Sequence, residues 1–354
     1  MTTRKLLLDR RAKQSVVWFA GLFLLVQLAG SWLLDHPWLP LRFRTATRLL
    51  AHLDANHRRP DVVLLGSSRF GIGLHGGTIA EVLAEGHSGD KPFVFNSCVE
   101  AGDAISAEFM FDALLERGVR PQLVVMEVSP ETVNAWNLWM NYHMRRQMRW
   151  EDFPPWLMDL ARAHQHTRVL GYRLTPLYVH RCQLWEAVAQ RWRSAPSFSR
   201  DADREAQTWH EVLDVKMTYP RPRPEGALLV GLDLVRRYLR QYRTDGASAQ
   251  ALTRIADKCR RHGIEVLLVG VPLTSPHRAL YRPEVESAFL AFMDCLTREH
   301  GCRFVDYRAS MPDDFFYDNH HLYPEGCDAF SRKLATETLR DLWRAKHLHA
   351  VSAE

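Results

Sequence analysis

Ser68, His321 and Asp318 are the residues whose types could do chemistry together. A serine hydroxyl is a weak nucleophile at neutral pH and needs a base. A histidine is that base when a carboxylate fixes its tautomer and stabilises the imidazolium. Asp318 and His321 stand three residues apart in Asp318-Asn319-His320-His321-Leu322, so one turn of chain can supply base and orienter. Ser68 sits far upstream, in Gly66-Ser67-Ser68-Arg69. The set points to attack on an acyl ester through an acyl-serine. His320 and His321 are both imidazoles in one loop, so residue type does not choose between them. A metal held by Asp318, His320 and His321 is disfavoured because adjacent His side chains diverge in most backbones. His320 is expected to be solvent-exposed.

Two such distant segments meet only if a fold brings them to one edge. The stretch Asp61 to Gly77, DVVLLGSSRFGIGLHGG, provides the first half. Val62 to Leu65 is a short apolar run closed by Gly66, the pattern of a strand buried on both faces. The small residues after it suit a turn into a helix. That places Ser68 at the carboxyl edge of a sheet, where ligands of open α/β folds sit. Backbone N–H groups beside the hydroxyl could hold an oxyanion. Three other readings compete. Gly66 to Gly71 has phosphate-loop spacing, but no Lys-Ser/Thr follows the second Gly. Gly71 to Gly76 matches GxGxxG, but its first Gly comes five residues beyond Gly66 instead of directly after the strand. A Gly/Ser turn without chemistry is the third.

Further runs complete an alternating pattern. Phe93–Asn96 and Leu123–Val128 read as strands, with Asp103 an N-cap for the helix between them and Gly118 its stop. Leu228–Tyr242 and Ser248–His262 read as helices, Ile264–Val271 as a strand, Glu284–His300 as a helix and Arg303–Asp306 as a strand. Pro324 opens a final helix toward Ala345. Strands alternating with helices predict a flavodoxin-like three-layer α/β/α sandwich with a parallel sheet. The Asp318–His321 loop, between the last strand and the last helix, then returns to the edge that carries Ser68. From Pro130 to about Glu225 the pattern lapses. This helical insertion holds Trp136, Trp139, Trp150, Trp156, Trp185, Trp192 and Trp209 among Arg and His. These Trp suit an insertion core, a sugar-stacking surface or a membrane-facing surface.

The chain has 354 residues, 46% hydrophobic and 25% charged, with a net charge of +5. That is ordinary globular composition, and no compact basic stripe points to nucleic acid. Gln14 to Leu34 differs: 21 residues without a charge, flanked inside by Trp18 and Trp32. This is long enough to span a bilayer core. A cleaved signal peptide usually has a shorter apolar region and a small-x-small site, which is absent here. Arg4, Lys5, Arg10, Arg11 and Lys13 precede the span, while Arg42, Arg44 and Arg48 follow less closely. The bias favours an inside N-terminus and an extracytoplasmic, periplasmic main domain. The expected organisation is a tail to residue 13, an anchor over 14–34, a connector over 35–60 and the α/β domain over 61–345. The six cysteines show no CxxC or Cys/His ligand pattern, so structural zinc is not expected and buried free thiols are.

Val63-Leu64-Leu65-Gly66-Ser67-Ser68 resembles the first block of the SGNH (GDSL-type) hydrolase superfamily, with Ser67 in place of the usual Asp. Asp318-x-x-His321-Leu322-x-Pro324-x-Gly326 is similar to its last block. The resemblance covers about Asp61 to Leu342, interrupted by the insertion. It implies Ser68 as nucleophile, His321 as base and Asp318 as orienter, with oxyanion donors from Ser68, Gly102 and Asn96. The middle blocks depart from the pattern. Asn96 to Gly102 is one residue longer than usual, and Val125-Met126-Glu127-Val128-Ser129-Pro130 replaces a strand end that normally carries Asn. Asn134 or Asn137 would then stand in. Loss of such a donor costs ~10²–10³ in rate.

The Gly-Ser-Ser form, the single anchor and the degenerate middle block are similar to membrane-tethered members that handle envelope polymers. The expected activity is hydrolysis or O-acyl transfer on an acyl ester or acylated glycan, without a cofactor. A membrane acyl-donor protein is the implied partner. The alternative is a non-catalytic protein of the same fold that binds glycan or a membrane partner.

Overall fold

The computed structural model describes residues 10–35, 44–56, 58–85, 90–135, 157–162, 166–182, 184–185, 188, 219 and 221–351. Two compact units partition the chain: residues 1–44 with 145–200, and residues 45–144 with 201–354.

In the larger unit the apolar runs become strands β1 (Val62–Leu65), β2 (Val94–Asn96), β3 (Leu123–Val128), β4 (Glu265–Gly270) and β5 (Arg303–Asp306). All neighbours are parallel, in the order β2-β1-β3-β4-β5. This is the flavodoxin-like order, and its reversal point falls beside β1, where ligands of such sheets bind. Every residue of β1, β2 and β3 is buried. One sheet face, with Val62, Leu64, Leu123, Val125, Leu267 and Val269, shares a core with Ile79, Val82, Phe330 and Leu334 of the helices Gly76–Ala84 and Pro324–Leu334. Val63, Leu65, Val124 and Met126 point the other way and are equally buried. The helix Ala104–Glu116 packs on β1 and on the helix Ala247–Arg261. Period-2 alternation with both sets buried requires helices on both faces, which is the three-layer arrangement.

Local chemistry explains where these helices begin. Asp103 accepts the Ser106 N–H at 2.8 Å as the N-cap of Ala104–Glu116. Pro324, which lacks an N–H to lose, occupies the first turn of Pro324–Leu334. One expected helix differs. Leu228–Tyr242 is broken: a 3₁₀ turn over Ala227–Leu229 precedes a helix over Leu232–Tyr238. Gly231, with φ +80°, sits between them in the left-handed region, which stops one helix and starts the next. The last helix passes through a π-turn at Ala335–Leu339 and continues over Arg340–Val351. All six cysteines are free thiols, and Cys98, Cys259, Cys302 and Cys327 are buried.

In the smaller unit the helix Arg10–Asp35 is long and apolar enough to cross a membrane, and it is a candidate span. Val17, Trp18, Phe19, Leu22, Leu25 and Trp32 along it are exposed. Its carboxyl half packs on the helices His166–Leu174 and Pro176–Val179. Gly30 permits the approach: a Cβ there would meet Leu177 Cδ2 at 2.7 Å. Arg173 Nη1 donates to Asp35 at 3.1 Å, pairing a fully buried guanidinium at the end of the span.

Candidate active site

Strand register builds the turn that carries Ser68. β1 and β3 pair Leu65 with Met126, so Gly66 comes to rest against Glu127. A Cβ on Gly66 would meet the Glu127 Cβ and Oε2 at 2.7 Å, so only glycine fits. Ser67 then caps the short helix Ser68–Gly73, its Oγ accepting the Arg69 N–H at 3.2 Å. Ser68 is the first residue of that helix. Its N–H belongs to the group that has no acceptor within a helix. Ser68 is buried, with 8% of its surface exposed.

The second segment comes from the turn between β5 and the helix Pro324–Leu334. An antiparallel bridge between Phe316 and Leu322 pinches it, and Tyr317 N donates to His321 O at 2.8 Å. Within the pinch Asp318 Oδ1 accepts the N–H groups of His320 at 2.9 Å and His321 at 2.8 Å. Asp318 Oδ2 is 2.7 Å from His321 Nδ1, and His321 Nε2 is 2.9 Å from Ser68 Oγ. A carboxylate only accepts, so Nδ1 carries the imidazole hydrogen and the Nε2 lone pair faces the Ser68 hydroxyl. Burial pushes the Asp318 carboxyl up, but the hydrogen bond and charge of His321 pull it well below the usual range. Asp318 is therefore ionised. The structure brings Ser68, His321 and Asp318 together in one hydrogen-bonded row.

The other expected donors are placed differently. The Gly102 N–H donates to Val99 O at 2.9 Å, closing a turn. Gly102 instead provides bare backbone: a Cβ there would meet Gly66 O and Val99 O at 2.7 Å. The Asn96 amide donates to Gly71 O at 2.8 Å and accepts the Cys98 N–H at 3.2 Å. The extra residue between Asn96 and Gly102 leaves both groups bracing the turn beneath Ser68. Asn134 is fully buried and bonds to the Tyr238 carbonyl and the Arg243 N–H. Asn137 lies outside the described residues, as do Trp136, Trp139, Trp150, Trp156, Trp192 and Trp209. Trp185 is exposed.

The expectation of diverging His320 and His321 needs correction. Their rings lie 4.2 Å apart at a 53° tilt, because both backbone amides are drawn to one Asp318 oxygen. Asp318, His320 and His321 offer ligand atoms within 4.8 Å of one another. Most of those atoms are engaged: Asp318 Oδ2 with His321, His321 Nε2 with Ser68, and His320 Nδ1 with Asn319 Oδ1. A metal ion would have to break this row to bind. Burial and the neighbouring His321 hold His320 well below the usual imidazole range.

A buried polar cluster escaped sequence reasoning. Glu127 accepts Ser67 N at 2.7 Å and Ser67 Oγ at 2.8 and 2.9 Å. Arg69 Nε donates to Glu127 at 2.7 Å, Nη2 donates to Ser129 Oγ at 2.9 Å, and Nη1 donates to Glu131. The Arg69 side chain is 3% exposed and those of both carboxylates 2%. Glu131 also accepts the Tyr281 hydroxyl at 2.7 Å. Although burial pushes Glu131 up, Arg69 brings it well below the usual carboxylate range. The signal was one Glu in an otherwise apolar buried strand, Leu123-Val124-Val125-Met126-Glu127-Val128. A buried strand does not hold a carboxylate without a cation.

The sheet order, the serine after β1 and the Asp-x-x-His turn before the last helix are what the resemblance to the SGNH (GDSL-type) superfamily implies. No family model matches the sequence, and no curated protein does. Solved structures are similar. An assigned acylhydrolase from Bacteroides fragilis shares 12% identity at a TM-score of 0.35, covering 84% of this chain and 98% of that one. TesA shares 13% at 0.33, over 77% and 94% of the two chains. A GDSL-like lipase from Bacteroides thetaiotaomicron shares 12% at 0.35, over 84% and 99%.

Proposed function

We propose that this protein is a membrane-anchored serine acyl-ester enzyme, a hydrolase or O-acyltransferase acting on an envelope glycan or lipid-linked ester. The observation that carries the reading is the row Ser68 Oγ, His321 Nε2, His321 Nδ1 and Asp318 Oδ2, at 2.9 and 2.7 Å. These are the distances general-base catalysis needs. In the reaction Ser68 Oγ bonds to the acyl carbon as His321 Nε2 takes the hydroxyl proton. The Ser68 N–H donates to the oxyanion. The tetrahedral centre collapses, the ester C–O bond breaks, and His321 returns the proton to the leaving alcohol. Water or a sugar hydroxyl then attacks the acyl carbon as His321 takes its proton, the bond to Ser68 Oγ breaks, and His321 returns the proton to Ser68 Oγ. The candidate span ties the enzyme to the membrane. The Lys/Arg excess before it supports an extracytoplasmic main domain with a periplasmic substrate.

A second reading has a specific observation behind it. Gly102 and Asn96 use hydrogen bonds internally that an oxyanion would take, which favours a non-catalytic protein that binds glycan or a membrane partner. Intact-mass analysis of the detergent-solubilised protein after a fluorophosphonate probe separates the two. The enzyme reading expects one adduct on wild type and none on Ser68→Ala. An unlabelled wild type, or equal labelling of both, overturns it.

A further inference from the structure

The buried cluster joins the two halves of the site. From Ser67, next to the nucleophile, contacts run through Glu127 to Arg69 and on to Glu131. Glu131 Oε1 lies 3.5 Å from His277 Nε2, a close polar contact and not a hydrogen bond, and His277 Nδ1 is 2.9 Å from Asn319 Oδ1. Asn319 lies between Asp318 and His320. Its amide donates to the Val230 carbonyl, which fixes its oxygen as the acceptor for His277. Its own carbonyl accepts the Thr274 hydroxyl at 2.9 Å. The row Asp318–His321–Ser68 closes the path into a ring. The helix Pro324–Leu334 already packs on the helix Ser68–Gly73, and the buried path adds a second route between the two segments.

We propose that Arg69 is a positioning residue for acylation: it holds the Ser68 turn through Glu127 and the His321 segment through Glu131, His277 and Asn319. Glu127 lies in the segment Val125–Pro130, and its side chain turns inward to Ser67. Arginine suits this task because its planar fork reaches Glu127, Ser129 and Glu131 at once. A lysine keeps the charge but is a point donor, so it cannot span all three. Both carboxylates are desolvated, so each requires a fixed cation in place of water.

The inference rests on Ser68 being acylated, and its test keeps the two apart. Fluorophosphonate labelling of the full-length protein in detergent is followed over time for wild type, Arg69→Lys and His277→Gln, beside thermal melting. The labelled fraction reads how much protein is folded, and the rate constant reads how well Ser68 and His321 are aligned. We expect Arg69→Lys to label with a rate constant at least tenfold below wild type, even in its folded fraction. A purely structural role would lower the labelled fraction and leave the rate constant alone. A rate constant within twofold of wild type in folded Arg69→Lys overturns the proposal. Should Arg69→Lys yield no folded protein, His277→Gln decides by the same two limits, since it cuts the ring without stranding the Arg69 charge. An unlabelled wild type would overturn the acyl-serine reading itself.

Discussion

Asp318→Asn tests the site with little change of shape. Asp318 Oδ1 accepts the His320 and His321 amides, and an asparagine oxygen can keep both bonds. The turn should therefore stand, with melting close to wild type. The change falls on the other oxygen, 2.7 Å from His321 Nδ1. There an NH₂ group would meet the Nδ1 hydrogen, donor against donor. The imidazole escapes by moving its proton to Nε2, which then becomes the donor to the Asn-facing side's opposite partner, the Ser68 hydroxyl 2.9 Å away. A ring in that tautomer cannot take the serine proton. Loss of the correct tautomer costs about 10³–10⁴ in rate, or about 4–5.5 kcal/mol of transition-state stabilisation at 1.36 kcal/mol per decade. The assay is the rate constant of fluorophosphonate labelling at neutral pH, with the melt measured alongside. A folded Asp318→Asn protein that labels within tenfold of wild type would refute the tautomer argument.

His321→Ala should abolish Ser68 labelling, whereas His320→Ala should keep most of it, because only His321 Nε2 is bonded to Ser68 Oγ; the reverse pattern would exchange their roles. Asp103 gives a pH dependence of stability: burial pushes it up to about 6 from an ordinary 3.8. The folded state then holds the proton more tightly than the unfolded state, so stability should fall by about 3 kcal/mol between roughly pH 4 and pH 6 and stay lower above. Asp103→Asn should flatten that window in denaturant titrations, and an unchanged slope would count against it. Gly66→Ala drives a methyl into Glu127 and should cost about 1–3 kcal/mol with slower labelling; a wild-type melt would show the turn to be compliant.

Some of this arrangement could be read directly from the sequence, for physical reasons. Leu123–Val128 and Arg303–Asp306 form strands with the predicted ends, since short runs bounded by turn residues leave little freedom, whereas the first strand stops at Leu65, two residues before the expected Ser67. The run around Ile264 is a residue shorter at each end, where the ladder stops before the chain turns. Leu228–Tyr242 misled because its helical apolar spacing conceals Gly231, whose positive φ breaks it. The spacing of Asp318 and His321 was legible because i to i+3 is a local relation. The ring through Arg69 was not. Charged residues scattered over the chain look like surface, and only the β1–β3 register places Glu127 beneath Gly66. The segment Val125–Pro130 reads as one without its asparagine, a loss, yet its Glu127 anchors a different contact set. The convergence of His320 and His321 is likewise a product of one shared acceptor, which residue spacing does not reveal.

The separation between nucleophile and base has a consequence for how the protein is made. Ser68 and His321 are 253 residues apart, and the base arrives only with the last turn and helix of the α/β unit. Contacts between such distant segments form late, because the intervening chain must be ordered first. On the proposed reading, a chain cut short before His321 holds its serine without a base and is chemically silent. The proposed chemistry would then begin only once the turn carrying His321 has been made and folded onto the sheet edge. Labelling of Ser68 is, by the same logic, a measure of how much of the chain has reached its final state.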